Sequence, residues 1–221
     1  MNSRKKQNVF VVSVIIALLI IIYGSVFSTQ LSEISGTVMK WVSYNFGWLY
    51  IMAVLGFILF LAWLAFSKYG NIKLGKDTDE PEYSNFSWFA MLFCGATGIG
   101  LVFWSIAEPL SHYVTPRSGI EAGTVDAMQF SIRTCFLHWG ITQFSCFAIV
   151  GLGLAYFQFR KDAPGLISSI FLPIIGKEGV EGPIGKTIDI LAVFTTVTGI
   201  ATSLGMGTMQ IAGGLEYMFG I

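Results

Sequence analysis

Gly95, Gly98 and Gly100 fall within one short apolar stretch, GATGIGLVFWSIAEPLSHY (95–113), which then sets Glu108 directly before Pro109. A helix that only crossed lipid would avoid both features. Glycine weakens a helix, and a carboxylate is costly at membrane depth. An unwound turn there frees amides and carbonyls, which transporters use to hold a small substrate or an ion. The same glycines also suit close helix packing, the alternative use of small residues in lipid.

Two further stretches carry chemistry-bearing side chains. FLHWGITQFSCF sets Phe136, Trp139, Gln143, Phe144 and Phe147 on one arc of about 140° if the helix is regular. Such a wall could receive a quaternary ammonium, whose charge is attracted by π faces. The commoner use of such a stripe is packing on neighbouring helices. His138 is expected to face away from that arc, as an interhelical hydrogen-bonding residue or a proton relay. FTTVTGIATSLGMGTMQ groups Thr196, Ile200 and Ser203 on one face and Thr195, Thr198 and Thr202 on another. Hydroxyl oxygens suit a hard cation such as sodium, while Gly199, Ser203 and Gly207 also form a small-residue packing ridge. Glu108 and His112, four residues apart, are a thin basis for chemistry on their own. No phosphate loop, nucleophile–base set or paired catalytic carboxylates occur, so an enzyme is not expected. Cys94, Cys135 and Cys146 lie in apolar runs without metal-ligand spacing and read as buried free thiols.

The elements that must position these residues are membrane helices. The 221 residues are 54% hydrophobic and only 12% charged, about half the charged share of a soluble domain. Net charge is zero, which offers nothing to nucleic acid. The first apolar run, Val9 to Phe27, follows Arg4, Lys5 and Lys6 as in a signal peptide. It is longer than a usual signal core of about 7–15 residues, has no small-residue cleavage pattern and nearly spans the hydrocarbon, so it reads as a retained helix. Further runs at about 46–66, 88–110, 127–159 and 187–218 make five spans, the fourth long enough to tilt.

Ten of the thirteen Lys and Arg residues lie at the N-terminus, in 67–87 and in 160–186, against Lys40 and Arg117 in the alternate loops. The positive-inside rule then expects a cytoplasmic N-terminus. GLISSIFLPIIG, ending at Gly176, is too short to span and reads as interfacial or re-entrant.

GATGIGLVFWSIAEPL resembles the glycine-rich signature of the betaine/choline/carnitine transporters, and FLHWG and TSLGMGTMQIAGGL resemble their next two helices. The resemblance implies an all-α, inverted-repeat, sodium-symporter-like fold with a broken third helix. It implies a plasma-membrane protein that is a homotrimer when complete. Residues 1–66 would be two peripheral helices, 67–87 a cytoplasmic loop and 88–221 the first three helices of the first repeat. The second repeat and the family's tryptophan-rich helix would then be missing, the chain being a truncated portion.

The implied activity is ion-coupled import of a quaternary-ammonium compatible solute, with sodium the candidate coupling ion. Trp139 looks like the cage tryptophan of the fourth helix, with Phe144 and Phe147 where the family often has Trp and Tyr. Thr97, Gly98 and Gly100 fall on the substrate-binding turn. Backbone at Cys94 and Thr97, with the hydroxyls of Thr196 and Ser203, resembles the sodium sites. Ile200 stands where sodium-coupled members can have threonine. Gly100 replaces the aspartate common in choline carriers, which favours a zwitterion such as glycine betaine over choline; glycine betaine is expected ahead of carnitine as well. The competing function is a non-transporting membrane sensor or structural subunit whose glycines only mediate packing.

Overall fold

A computed structural model describes residues 3–96 and 98–220, and among them every regular element is a helix. Four helices are long and apolar enough to cross a membrane, and a bent pair makes a fifth span. The chain is thus an all-α, multi-pass membrane protein. Large apolar side chains point outward along the spans, as lipid rather than water demands. Cys94 is exposed and Cys135 and Cys146 half-buried, so the thiols expected to be buried are not enclosed within the chain.

The chain clusters into two compact units, Met1–Asp77 with Ser145–Thr198 and Thr78–Phe144 with Gly199–Ile221. In the first, α1 (Ser3–Val26) is joined to α2 (Ser28–Phe66) through the non-helical Phe27. At 39 residues, α2 is about 58 Å long, roughly twice the hydrocarbon thickness. The polar stretch 28–45, expected as a loop carrying Lys40, is instead helix. It holds no proline, and Thr37 and Asn45 bond back to the carbonyls of Glu33 and Trp41, so nothing in it terminates the helix.

After the π-helical turn Tyr156–Arg160, two short helices follow, α7 (Ile167–Ile170) and α8 (Leu172–Glu181). They occupy the stretch read as non-spanning. Gly176 breaks α8 with φ +68°, a backbone conformation open to glycine. The buried Asp189 of α9 (Pro183–Phe219) anchors α7 by accepting from the backbone N–H and hydroxyl of Ser168, at 3.0 and 2.9 Å. Arg160 clamps the loop after α2 by donating to Gly75 O at 3.0 Å and Asp77 Oδ1 at 2.5 Å. That guanidinium, by its hydrogen bond first and its charge second, holds the Asp77 carboxyl below the usual carboxylate range.

The second unit contains the broken span. Helices α3 (Asn85–Ala96) and α4 (Ile99–Val114) meet at 51°. Extended backbone at Gly98 (ψ −162°) starts α4, and the Gly98 carbonyl accepts from Leu101 N. Thr97 lies outside the described residues.

α4 then packs on α5 (Val125–Leu137). Thr124 caps α5 by accepting from Ala127 N, and Ala127 and Ser131 are buried. Tyr113 donates to Gly123 O at 2.8 Å, closing the connection between the two helices. Ser131 Oγ donates to Pro109 O at 2.5 Å. Past α5 the chain makes a π-helical turn, His138–Thr142, in which Gly140 leaves helical geometry at φ −90°, ψ −137°. It resumes as α6 (Gln143–Ala155).

Candidate functional site at the broken helix

α3 ends and α4 begins at this bend, and the terminal turns of any helix have carbonyls and amides without intrahelical partners. Cys94 sits in the last turn of α3, Gly98 caps α4, and Gly100 is in the first turn of α4. Gly100 faces Trp139: a methyl group built there would lie 4.0 Å from Trp139 Cη2. Trp139, in the π turn, is half-buried.

Glu108 holds that indole in place. Trp139 Nε1 donates to Glu108 Oε2 at 2.5 Å, and His138 Nδ1 lies 2.6 Å from Oε1. His112 Nε2, one turn along α4, is 3.5 Å from the same Oε1. The Glu108 side chain is only 13% exposed, because these three groups cover it. The cost of a carboxylate in a membrane span is offset here by direct partners. A hydrogen bond drawing on the indole N–H also enriches the ring's π cloud, which strengthens its attraction for a cation.

Two expectations need correction. His138 does not face away from Trp139's surroundings, since both converge on Glu108. The regular arc from Phe136 to Phe147 does not hold either. The π turn and the kink at Gly140 change the angular step, so residues before 138 and after 142 do not continue one α-helical spacing. Phe144 and Phe147 are three apart at the start of α6, 48% and 65% exposed.

The hydroxyl residues lie in mid-α9, Thr196 in the first unit and Ser203 in the second. The Thr196 hydroxyl donates to Ala192 O at 2.8 Å. That bond uses its hydrogen and leaves its oxygen lone pairs able to meet a cation. Ser203 is half-buried, and Ile200 between them supplies no oxygen. A threonine at position 200 would add a third side-chain hydroxyl to Thr196 and Ser203.

A multi-pass helical protein with a glycine break facing an anchored tryptophan shares the discontinuous-helix build that many membrane carriers use around their binding sites. A model of the family described as BCCT, betaine/carnitine/choline family transporter, matches residues 8–221, and the chain belongs to that family. It is 56% identical over 222 residues to a probable glycine betaine transporter of Desulfitobacterium hafniense, covering 100% of this chain and 44% of that protein. To the glycine betaine transporter OpuD of Bacillus subtilis it is 47% identical over 215 residues, 97% of this chain and 42% of the relative. To an ectoine/hydroxyectoine transporter of Virgibacillus pantothenticus it is 44% identical over 223 residues, covering 100% and 44%. The chain therefore spans less than half the length of these curated relatives.

Proposed function

We propose that this chain works within a secondary active transporter that imports a zwitterionic compatible solute of the glycine betaine type. The observation that carries the reading is the indole of Trp139, tied to Glu108 and facing the uncharged turn at Gly100. A trimethylammonium group would sit against the π face, with Phe144 and Phe147 extending the aromatic surface. Its carboxylate would meet the amides of Gly98 and Gly100 at the start of α4, or a bound cation. Relatives named for glycine betaine and for ectoine support this, since both solutes are zwitterions.

Sodium is the proposed coupling ion; its ligands in this reading, backbone at Cys94 and Thr97 and the Thr196 and Ser203 hydroxyls, rest on the family resemblance. The protein would sit in the plasma membrane as a homotrimer with a cytoplasmic N-terminus. Residues 1–66 would be peripheral, 67–87 a cytoplasmic loop and 88–221 part of the first transport repeat. Uptake of labelled glycine betaine into proteoliposomes holding the whole transporter tests this. Accumulation should follow an imposed sodium gradient; absence of uptake under every ion gradient would refute the transport reading.

A further inference from the structure

Glu108, His112 and His138 form a cluster that substrate binding does not explain. Their ligand atoms all lie within 4.8 Å of one another. Glu108 and His112 share a face of α4 by their i, i+4 spacing, and His138 approaches from the π turn. Four-coordinate zinc with bonds of about 2.1 Å sets neighbouring donors roughly 3.4 Å apart. The observed separations from Oε1, 2.6 Å to His138 Nδ1 and 3.5 Å to His112 Nε2, bracket that value. Small rotations of the two rings would therefore admit an ion.

The chemistry selects the kind of ion. Two imidazoles and one carboxylate match divalent transition metals, whereas magnesium and calcium prefer oxygen alone. Glu108 Oε2 is engaged by the indole N–H of Trp139, which orients the carboxylate and leaves Oε1 as a single ligand. His138 is 53% exposed at its side chain, which leaves its ring room to turn toward an ion.

We propose that Glu108 Oε1, His112 Nε2 and His138 Nδ1 form a binding site for Zn2+ or a similar divalent transition-metal ion. Bound there, the ion would cross-link α4 to the π turn that carries Trp139. Binding through Nδ1 needs the neutral His138 tautomer with its proton on Nε2, so that Nδ1 and the Glu108 carboxylate both present lone pairs to the ion. A metal in this place would restrain the aromatic surface and slow any transport cycle that needs α4 and the π turn to separate.

The test uses Zn2+ alone and the purified full chain without an affinity tag, in detergent micelles. Equilibrium dialysis should find one saturable Zn2+ per chain. His112→Gln and His138→Gln should each weaken it roughly tenfold or more. X-ray absorption at the zinc edge of the unsubstituted protein should show nitrogen and oxygen neighbours and no sulfur, a result that does not depend on either variant folding. No saturable binding, unchanged affinity in both folded variants, or sulfur from Cys94, Cys135 or Cys146 in the shell would overturn the proposal. None of these readouts requires transport, so the site stands or falls separately from the solute reading.

Discussion

Glu108 Oε2 accepts the indole N–H of Trp139 at 2.5 Å across a sequence separation of 31 residues. The bond joins the far end of the broken span to the π turn of the next. It fixes the plane of a ring whose Cη2 faces Gly100. One carboxylate thus sets the geometry of the aromatic surface without lying at the glycine turn itself.

Removing the ring tests its role directly. Trp139→Ala in the whole transporter should weaken solute binding about thirtyfold, the equivalent of ~2 kcal/mol for a desolvated cation–π contact. Trp139→Phe should lose less, because a weaker π face remains. Titration of the purified variants with glycine betaine measures this, and unchanged affinity in Trp139→Ala would remove the residue from the site.

Glu108→Ala leaves Trp139 Nε1 and His138 without their shared acceptor. A fully buried unsatisfied donor costs ~1–3 kcal/mol and the half-buried indole N–H should cost less, so thermal stability in detergent should fall modestly and solute affinity with it. Glu108→Gln keeps one acceptor oxygen and should recover part of both. Equal loss in the two variants would contradict the positioning role, since only the alanine removes every acceptor.

Gly100→Asp would put a carboxylate beside the Trp139 ring, as a first side-chain carbon already reaches ordinary contact with it. The added charge can meet a cation that lacks its own carboxylate. Preference should shift from glycine betaine toward choline in competition binding. A variant that binds both more weakly by the same factor would show that steric crowding, rather than charge, decides the outcome.

The clamp of Arg160 on Asp77 predicts an acid-sensitive loop. Asp77 titrates lower in the folded chain than its ordinary value because Arg160 bonds to it and carries positive charge. Its stabilising contribution is therefore fully present above the unfolded carboxylate pKa, about 3.9, and is lost as pH falls through the lower folded value. Amide exchange in residues 68–77 should quicken as pH is lowered through this range, after correction for intrinsic exchange. Asp77→Asn should remove that pH dependence.

The sequence makes some of these features legible because their causes are local. Run length and scarcity of charge announce membrane helices, and the trio Gly95, Gly98 and Gly100 announces the break, which a 51° bend bears out. The helical state of 28–45 was harder to read. Its polar composition suggests a loop, but it contains nothing that stops a helix once α2 is formed.

The Glu108–Trp139 bond was not legible at all. It depends on α4 packing against α5 and on the π turn, which alters the angular step on which the regular arc relied. The pairing of Glu108 with His112 was visible as an i, i+4 spacing, yet spacing alone could not bring His138 and Trp139 to the same carboxylate.

The most direct measurement of the central claim is displacement of labelled glycine betaine from the whole transporter by unlabelled glycine betaine and by choline. The uncharged turn at Gly100 and the anchored ring of Trp139 predict that glycine betaine displaces the label at lower concentration than choline does, because only the zwitterion brings its own carboxylate to the freed backbone amides. Choline displacing the label more effectively than glycine betaine would contradict it.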